Sequence, residues 1–67
     1  MTVAKVIELS SSSAKGIEDA VQSGLRKCAE SVKNIRGATV KEIKVLTGED
    51  GSVKEWRINL RVTFVVK

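Results

Sequence analysis

Between residues 53 and 66 apolar and polar side chains alternate almost without fault. Trp56, Ile58, Leu60, Val62, Phe64 and Val66 fall on one side, and Glu55, Arg57, Asn59, Arg61 and Thr63 on the other. A period of two belongs to a strand with one face in a core and the other wet or specialised. Upstream, Ala38 to Thr47 reads as a second strand, joined to the last through Gly48-Glu49-Asp50-Gly51-Ser52, where Asp50-Gly51 is a hairpin signal. Val3 to Leu9 mixes β-branched residues with Lys5 and Glu8 in a third, shorter strand pattern, which Ser10-Ser11-Ser12-Ser13 interrupts. The serine run reads as a loop, with Ser13 as the helix N-cap because its hydroxyl can accept from the free N–H groups of a first turn.

The period then changes. Ile17, Ala20, Val21, Gly24, Leu25, Cys28, Val32 and Ile35 recur at spacings of three and four, while Lys15, Glu18, Gln22, Arg26, Lys27, Glu30 and Lys33 fall opposite them. That spacing predicts an amphipathic helix of roughly 21 residues, ended across Asn34 to Gly37 with Gly37 in the left-handed conformation. Gly24 lies inside it, where close helix–sheet packing is its expected role. A helix between the first two strands makes them parallel in direction, and the hairpin reverses the third; placing the third in the middle makes every pair antiparallel. The expected fold is α+β, a βαββ unit whose three-stranded antiparallel sheet packs on one amphipathic helix, with residues 1–67 as a single domain.

Length turns this pattern into an argument for partners. Sixty-seven residues bury too little surface to be comfortably stable alone. One cysteine and no histidine exclude disulfide staples and a structural zinc site as supplements. Fourteen residues of strand reach about 46 Å, against about 31 Å for the expected helix, so apolar strand residues must overhang it. Both considerations point to self-association.

Charge changes the picture little. Twelve Lys and Arg against eight Asp and Glu give a net +4. The basic residues are interleaved with acids, as in Lys41-Glu42 and Lys54-Glu55, and with neither a basic stripe nor a run of stacking aromatics a nucleic-acid partner is not expected. No apolar run approaches a membrane span, and the first residues alternate instead of forming a signal-peptide core, so a cytoplasmic, reducing setting is the expectation. The usual nucleophile and base pairings lack candidates, since histidine and tyrosine are missing and Cys28 continues the apolar stripe, where a buried, unreactive thiol is expected. Enzymatic turnover is not expected. Trp56 shares its side with Ile58 and Leu60, which fits a core or interface tryptophan better than a ligand platform.

The order and spacing of these elements resemble one family. Lys5-Val6-Ile7-Glu8-Leu9, the following Ser13, the amphipathic helix, Val40-Lys41-Glu42-Ile43, the Gly51 hairpin and the closing Lys54-Glu55-Trp56 to Val62-Thr63-Phe64 are similar to the dodecins over essentially the whole chain. The resemblance implies a hollow homo-oligomer, a dodecamer of cubic symmetry, holding flavin such as riboflavin or FMN at subunit interfaces for storage or sequestration. It also implies where the ligand site lies and where this chain departs from it. Gly37 stands where flavin-binding dodecins carry the tryptophan that stacks on the ring. Arg57 stands where they carry a glutamine that hydrogen-bonds the ring edge, and Arg57 has donors but no acceptor. Val65 stands where some members place a basic residue near a nucleotide phosphate. Glu42 matches an acidic position of the ligand or channel region, where symmetry would cluster its copies and create a cation site on an axis; a salt bridge to Arg57 or a lysine is its simpler expectation. The implied function is a small-molecule, flavin-type binding and storage protein with an altered pocket, the alternative being a structural or cation-holding shell.

Overall fold

The alternating segment forms the middle strand of the sheet. The computed structural model describes residues 3–66, arranged as β1 (Val3–Ser13), α1 (Ile17–Ala29), β2 (Ile35–Thr47) and β3 (Val53–Val66). The strand order is β1-β3-β2, with both pairings antiparallel, as the connectivity requires. The sheet packs on the single helix, so the expected βαββ architecture holds.

The core follows the alternation of β3. Ile58, Leu60 and Val62 are 2 % exposed or less, and they close over Ala20 of the helix. Ile7 and Leu9 of β1 pack beside them, as do Ile17, Val21, Leu25 and Cys28 of the helix. Gly24 is the point of closest approach. A Cβ built there would lie 2.9 Å from Cβ and 3.1 Å from Oγ of Ser11, so the helix crosses β1 at a distance only glycine permits.

Several local expectations are corrected. The serine run is not a loop, because each of Ser10 to Ser13 keeps a partner on β3, from Asn59 to Trp56. Pairing overrides the weak strand preference of serine. Ser11 faces the helix, where Gly24 leaves room for a small side chain alone, and its hydroxyl donates to the carbonyl of Ala20 at 2.7 Å. Ser13 is not the N-cap, which is Gly16. Its buried hydroxyl instead accepts from the Lys15 N–H at 2.9 Å and donates to Asp19 Oδ2 at 2.6 Å. The strand is thus tied to the first turn of the helix, where Glu18 and Asp19 also complement the helix dipole.

The helix is also shorter than its stripe. It ends at Ala29, with the N–H groups of Ser31 and Val32 both returning to the Cys28 carbonyl. The chain then turns at Asn34, whose φ is 63°, and β2 begins at Ile35. Asparagine tolerates the left-handed region better than other side chains. Gly37 is therefore a strand residue opposite Thr63, outside the left-handed region, and does not end the helix. Cys28 faces the core as the stripe predicts, but it is half-buried where full burial was expected, since the helix stops one residue later and leaves its flank open.

Thirteen helical residues span about 20 Å, whereas the chain extends 53 × 19 × 13 Å. The overhang is larger than the sequence predicted. The helix lies over β1 and β3, leaving β2 beyond its edge. Val40, Ile43 and Val45 are in register with Leu60, Ile58 and Trp56, which places them on the helix-side face. They are exposed nonetheless, Ile43 by 51 %. Gly51, with φ 86°, completes the hairpin, and Asp50 Oδ1 accepts from both the hydroxyl and the N–H of Ser52, at 2.7 and 3.1 Å.

Candidate functional site

The face of the sheet turned away from the helix carries the polar half of the alternation. Register places its residues in rows that cross all three strands. Ser12, Arg57 and Lys44 form one row; Ser10, Asn59 and Glu42 the next; Glu8, Arg61 and Thr39 a third; Val6, Thr63 and Gly37 a fourth. The bulge between Val40 and Glu42 inserts Lys41 into β2 and keeps Glu42 and Lys44 on this face while Ile43 and Val45 stay on the other.

The first two rows line a groove of about 350 Å³, open to solvent, bounded by Ser10, Ser12, Glu42, Lys44, Arg57 and Asn59. Its side chains hold one another in place. Lys44 Nζ meets Glu42 Oε1 at 3.0 Å, Arg57 Nε donates to Glu55 Oε2 at 3.3 Å, and the Ser10 hydroxyl donates to Asn59 Oδ1 at 2.7 Å. Below them Glu8 Oε1 is shared by Arg61 at 3.3 Å and Lys41 at 3.8 Å. These pairs are solvent-exposed, so they orient the surface more than they stabilise the fold.

Of the residues singled out in the sequence, Arg57 and Glu42 meet in this groove, in adjacent rows. Gly37 does not. It lies opposite Thr63, six residues along β3 from Arg57, which is about 20 Å. Within one chain, therefore, Gly37 and Arg57 belong to different parts of this face, and Gly37 is not part of the groove lining. The carboxylate of Glu42 takes the lysine pairing expected of it, with Lys44, and not the pairing with Arg57. Val65, paired with Ala4, sits at the far end of the same face. Trp56 lies on the opposite face, half-buried in the row of Ser13 and Val45, as its apolar neighbours predict.

Sequence reasoning missed Ser10, Ser12, Lys44 and Asn59. A run of four serines has the composition of a loop, although continuing the alternation of Glu8 places Ser10 and Ser12 beside it. Lys44 follows Glu42 by two, the strand period, and carried that signal. Among the described residues no group of three or more His, Cys, Asp or Glu side chains gathers to hold a metal ion, and no helix is long and apolar enough to cross a membrane.

Comparison with known proteins places this geometry. The dodecin family model matches residues 3–67. A dodecin from Thermus thermophilus is 37% identical over 62 residues, which is 92% of this chain and 88% of that protein. The crystal structure of a point variant of T. thermophilus dodecin superposes with a TM-score of 0.91 at 34% identity, covering 100% of this chain and 98% of that one. The calcium dodecin of Mycobacterium tuberculosis, a calcium-chelating antigen with a calcium-binding site, gives a TM-score of 0.81 at 31% identity and covers 97% and 91%. A dodecin from Streptomyces davaonensis shares the fold, with a TM-score of 0.90 at 18% identity over 98% and 96% of the two chains.

Proposed function

The chain belongs to the dodecin family, and we propose that it works as a homo-oligomer, a dodecamer, that binds and holds a small flavin-type ligand between subunits without turning it over. One observation carries the reading. The polar face of the sheet gathers Arg57, Lys44, Asn59, Ser10, Ser12 and Glu42 around an open groove of about 350 Å³, a volume in the range of small-molecule sites. One subunit can cover a flat ligand on one side only, so the site is completed by a second copy. The exposed strip of Val40, Ile43 and Val45 supplies apolar area for such an assembly.

The groove suits recognition of a heterocycle by its edge. Arg57 and the amide of Asn59 donate to ring carbonyls, and the carboxylate of Glu42 accepts from a ring N–H. With glycine at position 37 the stacking contribution of about 0.5–1.5 kcal/mol per aromatic contact is lost, which makes this a weak flavin holder relative to one with tryptophan there. The unpaired Cys28 fits a reducing, cytoplasmic setting.

A second reading, a shell that holds cations, is favoured by the likeness to the calcium dodecin. Glu42 is the carboxylate that symmetry would multiply, although Lys44 at 3.0 Å competes with any cation for it. Fluorescence titration decides between them. Quenching of riboflavin that saturates with protein supports the first reading; no quenching, together with a calcium-dependent rise in melting temperature that Glu42→Gln removes, replaces it with the second.

A further inference from the structure

We propose that the groove is an oxyanion site, in which Arg57 and Lys44 together grip the carboxylate or phosphate of a small organic ligand; this rests on the binding role proposed above and names the ligand's chemical class. Arg57 and Lys44 are direct partners across the β2–β3 ladder, on the same face of the sheet. Like charges placed directly opposite each other repel, and such a pair is relieved by an anion held between them.

Their existing partners leave this capacity unspent. Glu55 takes only the Nε–H of Arg57, and among the described residues no hydrogen bond occupies its two Nη groups, the fork that meets an oxyanion with two parallel bonds. Lys44 gives one of three donors to Glu42. The Ser12 hydroxyl completes the row on the other side of Arg57 and also has no partner among the described residues. Each cation has one carboxylate beside it, Glu55 for Arg57 and Glu42 for Lys44, and each keeps donors beyond that contact, so the capacity for an oxyanion lies in the free donors. A glutamine at position 57 would bring a neutral amide able to both donate and accept, suited to an uncharged ring edge; arginine brings a fixed charge and donors alone, suited to an anion.

Inorganic pyrophosphate tests this without a ring to stack. Isothermal titration into the assembled native protein at low salt is expected to show saturable binding that weakens at least about tenfold in Arg57→Gln and again in Lys44→Met, and that survives in the control Lys33→Gln, a charge change away from the groove. Raising sodium chloride should weaken it steeply, as for any exposed ionic contact. Competition by phenyl phosphate and by benzoate then identifies the preferred group, the lower effective concentration marking phosphate or carboxylate. Absence of pyrophosphate binding by the native protein, or binding that Arg57→Gln leaves unchanged, overturns the proposal. Riboflavin titrated separately keeps the two readings apart: pyrophosphate bound with riboflavin ignored leaves the anion site standing and sinks the flavin reading, and the reverse does the opposite.

Discussion

Replacing Gly24 by alanine should destabilise the subunit, although alanine is the better helix former. The intrinsic preference favours the variant by about 1 kcal/mol. Against it stands the new Cβ, 2.9 Å from Ser11 Cβ and 3.1 Å from Ser11 Oγ, with Leu9 Cδ1 at 3.4 Å. The leucine methyl can move aside. Ser11 Cβ cannot, because it is fixed to a strand paired along its whole length with β3. Overpacking of this kind costs about 1–3 kcal/mol. Displacing the Ser11 hydroxyl from the Ala20 carbonyl, now at 2.7 Å, costs about 1 kcal/mol more. The balance is a loss of about 1–3 kcal/mol, a drop in melting temperature of several degrees for a chain this small, read at fixed protein concentration because assembly contributes to stability. A double-mutant cycle isolates the contact: in a Ser11→Gly background the two short distances vanish, and Gly24→Ala should become neutral or stabilising. A higher midpoint for Gly24→Ala alone, or an equal loss in both backgrounds, would refute the close approach of helix and strand.

Four other expectations follow from the geometry. Gly37→Trp should fold normally, since no atom lies within 4 Å of a Cβ there and its φ is not in the left-handed region; it should tighten riboflavin binding by about tenfold or more when combined with Arg57→Gln, as about 1.4 kcal/mol suffices for that factor, and an unchanged affinity in a correctly assembled variant would count against an intersubunit flavin pocket. Ile43→Asp, in the exposed strip on β2, should break the assembly into smaller species by light scattering, while an unchanged mass would show that the strip is not an interface. The Ser52 hydroxyl, and after it the Ser52 N–H, hold the Asp50 carboxyl below its ordinary range; a depressed carboxylate contributes stability above its unfolded value and loses it as pH falls through the folded one. The melting temperature of the native protein relative to Asp50→Asn should therefore be constant near neutrality and decline below about pH 4, and a difference that stays flat down to pH 2 would contradict the turn. Cys28 should react with a thiol reagent at least about tenfold faster in urea than in the native state, since half of it packs on the core; equal rates would mean that the helix register is wrong.

Long periodic stretches were legible in the sequence, and single residues at junctions were not. The alternation of β3 placed Ile58, Leu60 and Val62 in the core because a central strand has no choice of face. The helix stripe was read correctly from Ile17 to Cys28, but Val32 and Ile35 continue its spacing by coincidence, and nothing local marks Ala29 as the end. The turn at Asn34 depends on β2 beginning at once, with the Val65 N–H donating to the Asn34 carbonyl at 3.0 Å, a contact between residues far apart in the chain. Ser10 to Ser13 look like a loop because serine carries little strand preference; their pairing is set by the length of β3 and by the glycine across from Ser11. For the same reason the groove was half visible. Arg57 and Glu42 stood out, whereas Ser10 and Ser12 reach it only because the serine run stays paired as strand, and Lys44 only by following Glu42 at the strand period. The separation of Gly37 from Arg57 is decided by the β2–β3 register and its bulge between Val40 and Glu42, which set Gly37 opposite Thr63 and Lys44 opposite Arg57.

The most direct test of a ligand held between copies is size-exclusion chromatography with light scattering, run on protein equilibrated with excess riboflavin and read for mass and flavin absorbance together. The account predicts one peak, with the mass of twelve 7.3 kDa chains, carrying flavin that Gly37→Trp with Arg57→Gln increases. A 7.3 kDa species at micromolar concentration, or an oligomer that elutes colourless in both native and substituted forms, would contradict it.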